Sequence, residues 1–204
     1  TAVAAAFLVS ASLVVGIVTT TRQARLAQRR FDEARRLVHT VIFGIPAKMG
    51  AIAGTTAVRK DLIESTLQYL EALTPDAGDN PALLRELSAS YVQLARVQGL
   101  QGEANVGDPK GAVRTLDEAK KLVDRLLKLD PNGPDSLHEA VVVERHFALS
   151  FLHEGMFPQA QQRARRTIEL AEREVGLRPD FQAREDLADA HRTLGNASDS
   201  AEAF

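Results

Sequence analysis

The sequence predicts an all-α protein built from antiparallel helix pairs in a right-handed repeat, with an N-terminal transmembrane and juxtamembrane helix. Ala, Leu and Arg are abundant, and no stretch of alternating Val, Ile or Thr lies between turn residues. Strong helix formers therefore dominate outside the first 20 positions. The chain has no Cys, which excludes a disulfide framework, a thiol nucleophile and a thiolate metal site.

The first element is an apolar segment at residues 1–21, which contains no charged residue. A helix of that length rises about 31 Å, which matches the roughly 30 Å hydrocarbon core of a bilayer. A signal-type segment is the main alternative, but its basic region precedes the apolar core, whereas here the basic residues follow. A buried core helix is the other alternative. We expect residues 1–21 to form a transmembrane helix.

The next element is a basic juxtamembrane helix at residues 22–45. Six arginines and two acidic residues lie within 22–36, so this stretch is positive while the remainder of the chain is acidic. A basic collar beside an apolar span fits anionic lipid headgroups. The acidic remainder argues against a nucleic-acid surface. The positive-inside rule applied to this collar places the soluble part in the cytoplasm, but residues before Thr1 would decide the side.

Residues 46–80 are expected to form a connector and a helix that precedes the repeats. Pro46, Gly50 and Gly54 favour a loose connector. Apolar residues then recur at helical spacing over 57–73, and the segment 75–81 contains two prolines that predict a stop and a turn.

A repeat occupies residues 81–204. The form Gly-x4-Ala occurs at Gly107–Ala112 and again at Gly155–Ala160, 48 residues apart, each time between two predicted helices. The helix pairs are 83–98 with 110–129, and 137–154 with 159–176. Residues 182–204 resemble the first helix of a third pair that is truncated. The Gly permits a tight turn, and the Ala allows the second helix to approach the first closely.

The repeated units resemble tetratricopeptide repeats. One unit carries the matches Phe147, Ala148, Phe151, Gly155, Ala160 and Pro179. A looser unit carries Leu87, Tyr91, Gly107, Ala112, Leu116, Ala119 and Pro131. The spacing of 48 residues exceeds the usual period of about 34.

That resemblance implies a concave groove, lined by the first helix of each pair, that receives a protein or peptide ligand. The family register points to the candidate residues Val142, Arg145, His146, Leu149, Leu152 and His153. Arg145 is expected to engage a carboxylate of the ligand, and the leucines an apolar side chain. The histidines are expected to make affinity sensitive to pH. Burial of some of these residues by the helix at 57–73, or by the partner in a homodimer, is the alternative.

The order of segments is similar to the region that follows the catalytic domain in bacterial membrane-bound serine/threonine protein kinases with tetratricopeptide-like tails. The segments that carry this resemblance are 29–36, 53–59, 69–73, 97–99 and 107–112. It implies a single-pass protein of the bacterial inner membrane with a kinase domain upstream. A chain that begins at Thr1 rather than Met is consistent with a fragment.

Residues with catalytic or metal-binding potential are few. The sequence has no kinase phosphate loop or catalytic loop and no Walker-type loop. His138-Glu139 begins a zinc-binding pattern, but position 142 is Val and the second ligand is missing. Adjacent acids such as Glu185 and Asp186 are interpreted as solvated helix surface. We therefore predict no catalytic, cofactor or metal residue in this chain.

The expected function is a non-catalytic protein–protein interaction or sensor region of a membrane-anchored signalling protein. Its predicted partners are a protein or peptide ligand and the membrane, through residues 1–21, with a homodimer as a further possibility and no nucleic acid. A stand-alone membrane-anchored assembly or chaperone adaptor is the alternative.

Overall fold

The structure is a computed structural model that describes residues 56–99 and 105–202, and this part of the chain confirms the all-α prediction. It contains six helices, one short 3-10 turn at Pro75–Ala77 and no strand. The helices are α1 Thr56–Leu73, α2 Pro81–Gly99, α3 Pro109–Leu129, α4 Pro134–His153, α5 Phe157–Leu177 and α6 Phe181–Glu202. Each lies within a few residues of its predicted position.

The predicted transmembrane helix at 1–21, the juxtamembrane helix at 22–45 and the connector up to residue 55 lie outside the described residues. Within the described ranges, no helix combines the length and the apolar character needed to cross a membrane.

Proline and glycine fix where the helices begin and end. Pro81, Pro109 and Pro134 each occupy the first position of a helix, where a missing N–H costs nothing. Gly107 and Gly155 adopt φ values of +74° and +71°, a conformation that L-residues with a side chain rarely tolerate. The two glycines expected to form tight turns therefore do so.

The core lies between helices that are consecutive in the chain. Extensive contacts join α2 with α3, α4 with α5, and α5 with α6. Leu84, Leu126 and Phe147 are fully or almost fully buried in these contacts. Ala112 and Ala160, predicted to allow close approach, are both 0% exposed. Small side chains at these two positions let the helix backbones pack closely.

The helix ahead of this core, α1, packs mainly on α2. Ile63 and Leu70 are its buried apolar contacts. At its end the Thr74 and Tyr91 hydroxyl groups lie 3.3 Å apart, in hydrogen-bond contact with each other. The apolar stripe predicted over 57–73 therefore faces α2.

Alternate helices also meet, because α4 contacts both α2 and α6. This places the C-terminal parts of α2, α4 and α6 around a common space. Five of the six side chains predicted to line a groove lie on the α4 wall of that space.

Candidate peptide groove

A cavity of about 470 Å³ opens between α2, the start of α3, α4 and α6. Five of the six predicted groove residues line it: Arg145, His146, Leu149, Leu152 and His153. They share one face of α4 because they are spaced three, four and seven residues apart. Val142 is half-buried and does not line the cavity. No lining residue belongs to α1, so this helix does not cover the space.

The sequence did not predict the lining residues that elements other than α4 contribute to the cavity. These residues are Arg96, Gly99, Pro109 and Asn196, and Ser150 of α4 itself was also missed. Arg96 and Asn196 come from the neighbouring first helices of the pattern, α2 and α6. Helical periodicity along α4 assigns a face of α4, but it does not show which side chains of other helices that face meets.

The wall of the cavity contains basic side chains but no acidic side chain. Its lining residues include two arginines and two histidines but neither Asp nor Glu. Leu149, whose side chain is well exposed, and Leu152 add an apolar surface beside the two arginines. Such a surface suits a partner that presents a carboxylate next to an apolar side chain.

Arg145 already has a carboxylate partner within the protein. Its guanidinium donates from Nη1 to Asp189 on α6, and the two side chains are only 23% and 22% exposed. Arg192 also donates to Asp189, at 2.7 Å. The carboxylate that Arg145 was expected to bind on a ligand must therefore share the guanidinium with Asp189.

His146 is held in its neutral form. Burial, together with the positive charges of Arg145 and Arg96, lowers its pKa from 6.5 to about 4. Its main-chain carbonyl accepts a hydrogen bond from the Ser150 hydroxyl at 2.9 Å. With its pKa near 4, His146 is neutral at pH 7, so a pH sensitivity of binding from this residue is expected near pH 4 rather than near pH 6.5.

A second cluster of polar side chains lies near the start of α4, away from the groove. Here Nδ1 of His138 is 2.8 Å from Oδ2 of Asp186 and 3.6 Å from Oε1 of Glu174. Asp186 is only 2% exposed. The expectation that Asp186 belongs to the solvated surface is therefore wrong, because its carboxylate is buried against the imidazole of a neighbouring helix.

One signal in the sequence could have found this pair. His138 and Asp186 are separated by 48 residues, the same interval that separates the two Gly-x4-Ala turns. Equivalent positions of stacked helices become neighbours in space. Glu174 has no such signal, because its burial depends on how α5 is rotated against α4 and α6.

No protein-family model, curated protein or solved structure matches this chain.

Proposed function

We propose that this chain is a non-catalytic protein–protein interaction or sensor region, and that the cavity along α4 binds a peptide segment of its partner. The observation that carries the proposal is the composition of the cavity wall, which combines two arginines with exposed leucine surface and contains no acidic residue. The partner's segment carries a carboxylate next to an apolar side chain.

A tetratricopeptide-like right-handed arrangement of the helices belongs to this proposal. It is supported by the contacts of α4 with α2 and α6, by the left-handed glycines at 107 and 155, and by the buried alanines five residues after each glycine. In such an arrangement the first helices of successive pairs form one concave wall. Arg96, Leu149 and Asn196 lie on the three first helices that line the cavity.

The proposed setting is a membrane-anchored signalling protein, the C-terminal region of a bacterial serine/threonine kinase. It rests on the apolar stretch at 1–21, the basic stretch at 22–36 and the order of the segments that follow. The coding sequence upstream of Thr1 tests it. A kinase domain there supports this setting, and a start codon shortly before Thr1 contradicts it in favour of a stand-alone adaptor.

The groove is tested with a random peptide library displayed on phage and selected against the full chain in detergent micelles. We expect the selected peptides to share an acidic residue, or a free C-terminal carboxylate, beside an apolar residue. Synthetic versions are then titrated by fluorescence anisotropy. The substitution Leu149→Asp introduces a carboxylate that repels such a peptide, and it removes the apolar contact that Leu149 makes with the peptide. It should therefore weaken binding at least about tenfold.

Leu129→Asp is the matched control, because Leu129 is 44% exposed, Leu149 is 39% exposed, and Leu129 lies outside the cavity. This control should bind the peptides as the unchanged chain does. Selected peptides without a shared carboxylate, or equal binding to both variants, would show that the cavity is not the binding site.

A further inference from the structure

The start of α4 brings an imidazole and two carboxylates from three different helices together. His138 lies on α4, Glu174 on α5 and Asp186 on α6. One donor atom from each lies within 4.8 Å of the other two. The carboxylate side chains are 0% and 3% exposed, whereas the imidazole side chain is 28% exposed.

The spacing of these donor atoms suits a bound metal ion. Donors at about 2.1 Å from a tetrahedral ion stand about 3.4 Å from each other. The distance from Nδ1 of His138 to Oε1 of Glu174 is 3.6 Å, and the distance to Oδ2 of Asp186 is 2.8 Å. If the 2.8 Å distance between His138 and Asp186 lengthens slightly, an ion can replace the proton of their hydrogen bond.

A buried atom without a partner points to a ligand at the same place. Glu174 is 0% exposed, and among the described residues its Oε2 has no hydrogen-bond partner. An unpaired oxygen of a buried carboxylate has lost its hydrogen bonds to water without replacing them, which costs free energy. A cation that binds both carboxylate oxygens of Glu174 supplies the missing partner of Oε2.

The groups around the cluster hold its carboxylates in place. Gln182 donates to Oδ1 of Asp186 at 3.2 Å, which leaves Oδ2 directed at His138. Arg178 donates to Oε1 of Glu174 at 2.9 Å, and it also contacts Asp135 and Asp180. The positive charge of Arg178 is thus shared among three carboxylates, and only one of them, Glu174, belongs to the cluster.

We propose that His138, Glu174 and Asp186 bind one divalent transition-metal ion of the zinc class, in a site that joins α4, α5 and α6. A donor set of one imidazole and two carboxylates favours zinc, cobalt or manganese over magnesium and calcium, which prefer oxygen donors alone. Three protein donors leave a coordination position for water. The site is separate from the groove, because His138 precedes His146 by two turns of α4, about 12 Å along the helix.

The first test is isothermal titration of the full, untagged chain with zinc chloride after treatment with a chelator. We expect one zinc ion per chain, with much weaker binding of magnesium. His138→Gln and Asp186→Asn each remove one donor or its charge, so each should weaken zinc binding at least about tenfold. His191→Gln replaces an exposed histidine outside the cluster and should bind zinc as the unchanged chain does.

The second test needs no variant and therefore does not depend on how well the variants fold. Cobalt is added to the unchanged chain, and hyperfine-shifted proton resonances are recorded. We expect shifted ring signals from a single histidine. Absence of saturable zinc binding, zinc binding that survives in His138→Gln, or shifted signals from several histidines or none would each overturn the proposal. The cluster would then be a hydrogen-bonded network only.

Discussion

The neutral state of His146 has a consequence for stability that is open to direct measurement. In the folded chain its pKa lies near 4 rather than 6.5, because burial and the charges of Arg145 and Arg96 disfavour the imidazolium. Between these two pH values the unfolded chain binds a proton that the folded chain does not. Stability therefore rises with pH through this window and is lost as the pH falls from about 6.5 towards 4.

The size of the effect follows from the two pKa values. Each pH unit between them corresponds to about 1.4 kcal/mol, so the penalty from His146 is about 2 kcal/mol at pH 5 and nears about 3 kcal/mol at pH 4. His146→Gln removes the titrating group and keeps a polar side chain. Between pH 7 and pH 5, the free energy of unfolding of this variant should therefore fall by about 2 kcal/mol less than that of the unchanged chain.

The assay is urea denaturation of both chains at pH 7 and pH 5, followed by helical circular dichroism. Carboxylates that titrate in the same pH range contribute equally to both chains. The difference between the two chains in how much their free energy of unfolding changes from pH 7 to pH 5 therefore comes from His146. His191→Gln replaces an exposed imidazole and serves as the control. An NMR titration of the ring protons should also show one histidine with a pKa near 4. Equal losses of stability in the two chains, or no such histidine, would refute the reasoning.

Two further pairs of substitutions test the turn and the core. Gly155→Ala forces a side chain onto a residue with φ of +71°, so thermal unfolding should show a loss of about 1–2 kcal/mol. Gly195 lies within α6 with open space around it. Gly195→Ala should therefore be neutral, or should stabilise the fold by up to about 1 kcal/mol. Phe147→Ala removes a ring that is 1% exposed, so urea denaturation should show a loss of about 3–5 kcal/mol. Phe181→Ala, which removes a ring that is 80% exposed, should change stability by less than about 0.5 kcal/mol. Similar losses within either pair of variants would contradict these assignments.

The helices and turns were predictable because their signals are local. Proline at a helix start, glycine at a turn and a recurring apolar face each act through the backbone of a few neighbouring residues. For that reason the turns at Gly107 and Gly155 and the helix that ends before Pro75 lie where the sequence placed them. The face of α4 that lines the cavity could also be predicted from the sequence, because it depends on helical periodicity and on the register of the repeat.

The partners of individual side chains were not predictable in the same way. Arg145 was assigned to a ligand because the sequence does not show that Asp189, 44 residues later, faces it. Asp186 was assigned to the surface because an acidic residue in a polar helix is usually solvated. In both cases the outcome depends on the rotation of α6 against α4, which is a property of packing between helices and has no local signal.

The contacts of α4 with α2, α3, α5 and α6 have a consequence for the order in which the chain folds and opens. The principal contacts join helices that are adjacent in the chain or separated by one other helix, so few long loops must close before contacts form. Folding can therefore start at a central pair and extend outward one helix at a time. Opening should begin at the outer helices, where α6 is held mainly by α5 and α4. Loss of α6 removes Asn196 from the cavity and Asp186 from the imidazole of His138, so both sites depend on the docking of this one helix.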